Sequence, residues 1–227
     1  CVGNVSDEQN DKAYFFFSSS LNEPNWSTVN NDDLSTNRAR TYVDYILEQG
    51  INGETIPVAV DVFCHIDKFS GILGPLQDLD VNSTFSTDGW NTIRVNDSTK
   101  FKPGMTIRVK NAQGDDILED GPLIIKAIHK NTLLLNEECK QNLLSADNES
   151  GTPGAWFIFE SNRVLRLSPG TVGSNFINNH ITGINIIDNL LLWTDGYSEP
   201  KKINIPRCKA GTNINNVTND LRTHTKL

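Results

Sequence analysis

Four histidines, His65, His129, His180 and His224, are the residues best suited to bind a metal or move a proton, and they stand isolated along the chain. No E-x-x-H or H-x-x-x-H string occurs, so neither a zinc site nor a positioned general base is indicated. The other cation chemistry would come from an acidic loop, Asp115, Asp116, Glu119 and Asp120. Clustered carboxylates suit calcium, but EF-hand spacing is missing and the loop reads as a solvated turn. Nucleophilic chemistry has no better anchor, because the G-x-S-x-G, Walker and Rossmann strings are all absent. Paired carboxylates of the glycosidase kind are matched in space rather than in sequence, and nothing here selects a pair. No catalytic, metal-binding or cofactor-binding residue is assigned.

Cys1, Cys64, Cys139 and Cys208 lie far apart with no C-x-x-C pair. That removes the usual zinc and thiol-redox signatures and favours isolated thiols over disulfides. Sequons at Asn4, Asn25, Asn82, Asn96, Asn148 and Asn216 occur in a chain rich in Asn, Ser and Thr, where chance explains most of them. Lys plus Arg number 20 against 28 Asp plus Glu, a net charge of −8, which argues against a nucleic-acid duplex as the main partner. No apolar run approaches the length of a membrane span, so no membrane insertion is expected. Lys201 and Lys202 read as a solvent-facing strand start. The chain begins with Cys1 and closes on "RTHTKL", which reads like the start of a further strand, so a piece of a longer protein is expected.

The elements that must carry these residues are strands. "AYFFFSS", "TYVDYILEQ" and "TIPVAVDVF" are β-branched or aromatic runs bounded by Asn, Asp and Gly. Pro57 marks a strand start or an edge. Residues 21–37 read as a long polar loop. "ARTYVDYILEQG" has some helical spacing, but its Thr, Tyr, Val and Ile content favours a strand. From about Asp67 the runs become short: "NTIRV", "MTIRVKN", "PLIIKAI" and "TLLLN", separated by turn chemistry such as "KFKPG" and "HKN". This predicts a compact barrel or small sandwich, which "AWFIFE" would close after a polar return over 139–154.

The last third returns to the first pattern. In "GINIIDNLLLWTDGYSEPKKINI", Ile184 and Ile186 alternate, and Asp188 and Asn189 suit a two-residue turn. Period two then puts Leu191, Trp193 and Asp195 on one face and Leu190, Leu192 and Thr194 on the other. Both faces are apolar enough to predict a strand sandwiched between neighbours. After Gly196 and Pro200, "KKINI" should point Ile203 and Ile205 inward. The predicted class is all-β: propeller-blade strands over 1–66, an inserted β domain over 67–165, and blade strands resuming over 166–227. The 128 residues outside the insertion make two to three blades at roughly 40 to 50 residues each.

"LLLWTDGYSEPKKINI" resembles a YWTD-type propeller blade, with Leu192 where the Tyr would be. The longer Ile181–Thr212 segment, preceded by "NVSDEQNDKAYFFFSSS" and "YVDYILEQG…TIPVAVDVF", is similar to the tail nozzle (muzzle) proteins of crAss-like and related short-tailed bacteriophages. The similarity spans residues 1–66 and 166–227. It implies a non-enzymatic virion protein in a homo-oligomeric ring, a hexamer, at the end of the tail tube. Its partners would be other tail proteins and, in passing, the genomic DNA. The pattern Trp193, Thr194, Asp195, Gly196, Pro200, Ile203 and Ile205 would then be structural, with the indole N–H finding an acceptor and Asp195 accepting backbone amides of the following loop. An acidic wall also suits a DNA conduit, since like charge keeps the polymer from sticking. The alternative is an extracellular YWTD-like module that holds a protein or glycan ligand, with disulfides and occupied sequons.

Overall fold

The computed structural model describes residues 1–19, 40–68, 90–95, 97–110, 115–118, 121–139, 156–162, 164–167, 181–196, 198–212 and 224–226. The loop expected over 21–37 and the return over 140–154 lie outside them. So do Glu119, Asp120, His180 and the sequons at Asn25, Asn82, Asn96, Asn148 and Asn216. Within the described residues the protein is all-β, built of antiparallel strands with one 3₁₀ turn and one short α-helix. The chain forms two compact units, one of Cys1–Leu21, Tyr42–Phe63 and Arg163–Leu227, the other of Asn22–Thr41 and Cys64–Asn162. The insertion was expected over 67–165.

In the first unit, β1 (Gly3–Asp7) and β2 (Lys12–Ser18) make a hairpin, from Gly3 opposite Phe16 to Asp7 opposite Lys12. Its turn ends on Asp11 at φ 51°, a left-handed conformation that Asp tolerates. β3 (Arg40–Gln49) pairs with β2, placing Glu48 opposite Tyr14, Ile46 opposite Phe16 and Asp44 opposite Ser18. A turn through Gly53, φ 80°, leads into β4 (Thr55–Lys68), which lies beside β3. Pro57 sits near the start of β4, where a missing N–H is tolerated. The order β1-β2-β3-β4 is a meander of four strands. Because side chains alternate, Tyr14, Phe16, Asp44, Ile46 and Glu48 all fall on the buried face.

A second sheet of this unit comprises β10 (Gly183–Ile187), β11 (Leu190–Thr194) and β12 (Lys201–Asn204). Asp188, φ 52°, lies in the two-residue link between Ile187 and Leu190. Tyr14, Phe16, Ile46 and Val58 of the meander pack against Leu191 and Trp193. Phe16 and Trp193 meet edge to face, ring centroids 5.7 Å apart. Each such buried side chain contributes roughly 1.5–3 kcal/mol. Two expectations are corrected here. Leu190, Leu192 and Thr194 are only half-buried, so β11 is covered on one face rather than sandwiched. Ile205 is buried as the first residue of α1 (Ile205–Gly211), because the strand stops at Asn204. Asn204 caps that helix by accepting from the Arg207 amide at 3.0 Å, and Pro206 sits in the first turn, where no N–H is needed.

The second unit contains β5 (Trp90–Arg94), β6 (Thr106–Lys110), β7 (Leu123–His129), β8 (Thr132–Cys139) and β9 (Trp156–Glu160). β9 pairs with Cys64–Lys68 of β4 on one side and with β6 on the other. The order continues β6-β7-β8-β5. "AWFIFE" was expected to close a barrel; instead β9 is interior, with Trp156, Phe157, Ile158 and Phe159 all buried. An apolar run covered on both faces belongs in mid-sheet, not at a seam. The strand order is open, ending at β5 among the described residues. Phe101 and Phe159, centroids 4.7 Å apart, join Met105, Ile107 and Leu133 in its interior.

Candidate functional site

Trp193 is buried and Asp195 follows at the end of β11, itself buried. Gly196 takes φ 75°, a backbone state that glycine reaches without strain. The chain therefore turns back at once, and Asp195 collects the donors of the loop. Oδ1 accepts from the Ser198 amide at 2.7 Å, and Oδ2 accepts from the Ser198 hydroxyl at 2.8 Å and from Lys201 Nζ at 3.2 Å. Lys201 Nζ also donates to Ser198 Oγ. Lys201 was read as solvent-facing; its ammonium is folded back onto Asp195 and largely buried, while Lys202 is exposed. The Thr194 carbonyl accepts from the Thr182 amide at 2.8 Å, and Thr194 Oγ1 accepts from the Gly196 amide at 3.3 Å. Ile203 packs partly buried against the core, and Pro200 is exposed just before β12.

Ser198 and Lys201 have the S-x-x-K spacing that the sequence reading passed over, and fold into direct contact. In a hydrolase such a pair serves as nucleophile and base. Here the serine proton points to Asp195, the lysine is held by the same carboxylate, and the amides of Ser198 and Gly196 go to Asp195 and Thr194. The cluster fastens β11 to β12. The Trp193 indole N–H was expected to find an acceptor; it has none among the described residues.

Three further buried acids sit on the meander; two hold the segment 164–167 to it and the third holds α1. Asp44 accepts from the Ser18 hydroxyl at 2.7 Å and from the Leu167 amide at 3.1 Å. Asp61 accepts from the amides of Val164 and of Leu165, the latter at 3.1 Å. Glu48 accepts from the Tyr14 hydroxyl at 3.0 Å and from Lys209 of α1 at 2.9 Å, with Lys12 Nζ at 3.2 Å. Burial opposes ionisation of Glu48, but hydrogen bonds from Lys209, Lys12 and Tyr14 outweigh it and hold its carboxyl below the usual range. Burial, then the charge of Glu48, pushes the Tyr14 phenol far above its usual value. The sequence carried a signal for all three, an acid standing inside "TYVDYILEQ" or "VAVDVF", because an acid in an apolar strand must either face water or be satisfied inside.

The other residues singled out for chemistry are scattered. His65 is fully buried, its Nδ1 2.9 Å from Thr41 Oγ1 and its ring edge-on to Phe101. His129 is exposed at the end of β7. His224 Nδ1 accepts from the Val62 amide at 3.2 Å and lies 3.6 Å from Asp61. Asp116, read as part of a solvated turn, bridges to β6 and lies 3.8 Å from Arg108 and 3.5 Å from Lys110. No group of three or more His, Cys, Asp or Glu among the described residues could hold a metal ion. All four cysteines carry thiols rather than disulfides; Cys1 is exposed and Cys64, Cys139 and Cys208 are buried. No family model, curated protein or solved structure matches the chain.

Proposed function

We propose that the chain is a structural, non-enzymatic building block of a phage tail nozzle, in which blade-like sheets assemble into a homo-oligomeric ring around the DNA-exit channel. In this reading β1-β2-β3-β4 is one blade and β10-β11-β12 the strands of the next, and the unit holding β5 to β9 is the insertion that contacts neighbouring tail proteins. The observation that carries the reading is Trp193 packed against Phe16 between the two sheets, with Asp195 tying the following loop to β12. A blade needs that framework, whereas an active site would need polar groups left free. The net charge of −8 suits a wall along which DNA must slide. An extracellular YWTD-like binding module would share the blades but would call for disulfides, and the thiols at Cys64, Cys139 and Cys208 do not favour it.

Native mass spectrometry with negative-stain microscopy of the purified protein tests the proposal. A closed ring of identical copies is expected. A protein that stays monomeric at high micromolar concentration, with no ring in any field, would count against it.

A further inference from the structure

We propose that residues 224–226 are a displaceable strap that covers the edge of β4 and secures the end of α1. Thr225 exchanges two bonds with Val60: its amide donates to the Val60 carbonyl at 2.9 Å and its Oγ1 accepts from the Val60 amide at 2.8 Å. The Val62 amide ends on His224 Nδ1 at 3.2 Å. Two outward-facing donors of β4 are thus satisfied by side chains where a paired strand would offer carbonyls, so the contact is a cap and not a ladder. On its other side the strap meets the helix end. The Lys226 amide donates to the Gly211 carbonyl at 2.9 Å, and Thr225 Oγ1 lies 2.7 Å from Thr212 Oγ1.

Little apolar surface holds this strap down. Thr225 is buried, but His224 is half-buried and Lys226 exposed. A handful of hydrogen bonds set against the ordering of three residues comes close to balance, the condition for local opening below the cost of global unfolding. The fit also depends on one glycine, since a Cβ on Gly211 would sit 1.9 Å from the Lys226 carbonyl oxygen. Opening the strap would bare the Val60 amide and carbonyl and the Val62 amide, which is the pattern an added strand pairs with. It would also loosen the last turn of α1, where Cys208 is buried.

Hydrogen exchange of the full chain, resolved to single amides, tests the strap in the wild type, Thr225→Val and Gly211→Ala. Val60 and Val62 should exchange faster than core amides of β2, β3 and β11 in the wild type. Thr225→Val should speed Val60 and Val62 by roughly five- to tenfold, the loss of about one hydrogen bond, and leave the core amides unchanged. Gly211→Ala should do the same through the clash, and Thr225→Val keeps the test decisive if that variant fails to fold. Thiol alkylation in a Cys1→Ser background should show Cys208 reacting faster in both variants. Val60 and Val62 exchanging only with the core, with all amides shifted together in Thr225→Val, would overturn the proposal and make 224–226 an integral strand.

Discussion

Replacing Asp195 with alanine removes the acceptor on which the loop after β11 closes. The carboxylate is buried, 6% exposed, and receives the Ser198 amide at 2.7 Å, the Ser198 hydroxyl at 2.8 Å and Lys201 Nζ at 3.2 Å. A hydrogen bond to a charged group contributes about 1.5–3 kcal/mol, but these three are not additive. Both Ser198 bonds order the same residue, and the Lys201 ammonium, 16% exposed, can swing out to water once its partner is gone. The net loss is therefore about 2–4 kcal/mol. For a chain of this size that lowers Tm by about 5–15 °C. Asp195→Asn keeps an oxygen for the Ser198 amide and loses the ion pair, so it should cost about 1–2 kcal/mol. Urea unfolding followed by tryptophan fluorescence, with thermal melts of the same samples, gives both values. An Asp195→Ala protein within about 0.5 kcal/mol of wild type, the range of an ordinary surface change, would refute the fastening role.

Glu48→Gln should destabilise by about 2–3 kcal/mol, because it takes a charge from a buried hydrogen-bond cluster, whereas Lys12→Ala, on the exposed partner, should cost under about 0.5 kcal/mol; chemical denaturation of both variants checks the ratio. Since the Glu48 carboxyl is held below its ordinary value of about 4.3, the unfolded chain takes up the proton first. The stability that Glu48 contributes is thus present above that value and lost as pH falls through the lower folded value. Denaturation curves at successive acid pH should show that loss in the wild type and a flatter dependence in Glu48→Gln. Trp193→Phe keeps an aromatic ring against Phe16 and deletes a buried N–H that has no acceptor among the described residues, so it should cost at most about 1–2 kcal/mol, against about 3–5 kcal/mol for Trp193→Ala.

Period two made most of the strands legible. The aromatic run of β2 and the alternation of β10 and β11 were read as strands, and Leu191, Trp193 and Asp195 share the buried face that period two gives them, although the opposite face of β11 is only half-buried. α1 was hidden because "KKINI" continues the alternation past the strand end; the Asn204-Ile205-Pro206 start was the available sign, and it weighs little against a run of isoleucine and lysine. β9 was read as the strand closing a barrel because its position in the chain suggested closure, although four buried residues in succession mark an interior strand. The Asp195 loop was readable from the Asp-Gly pair, since both partners lie within six residues. The partners of Asp44, Glu48 and Asp61 were not, because the segments these acids hold, 164–167 and α1, are remote in sequence. Hydrogen-bond partners that far away leave no periodic trace.

Under the proposed function the two sheets are framework, and the ring that copies of the chain would form does the work. The most direct measurement is a cryo-electron microscopy map of native particles in which this chain can be traced. A closed ring of identical copies is expected at the distal end of a tail tube, with β1-β2-β3-β4 and β10-β11-β12 as neighbouring blades beside the channel. A map in which the chain is missing from the particle, or stands as single copies with no ring, would contradict it.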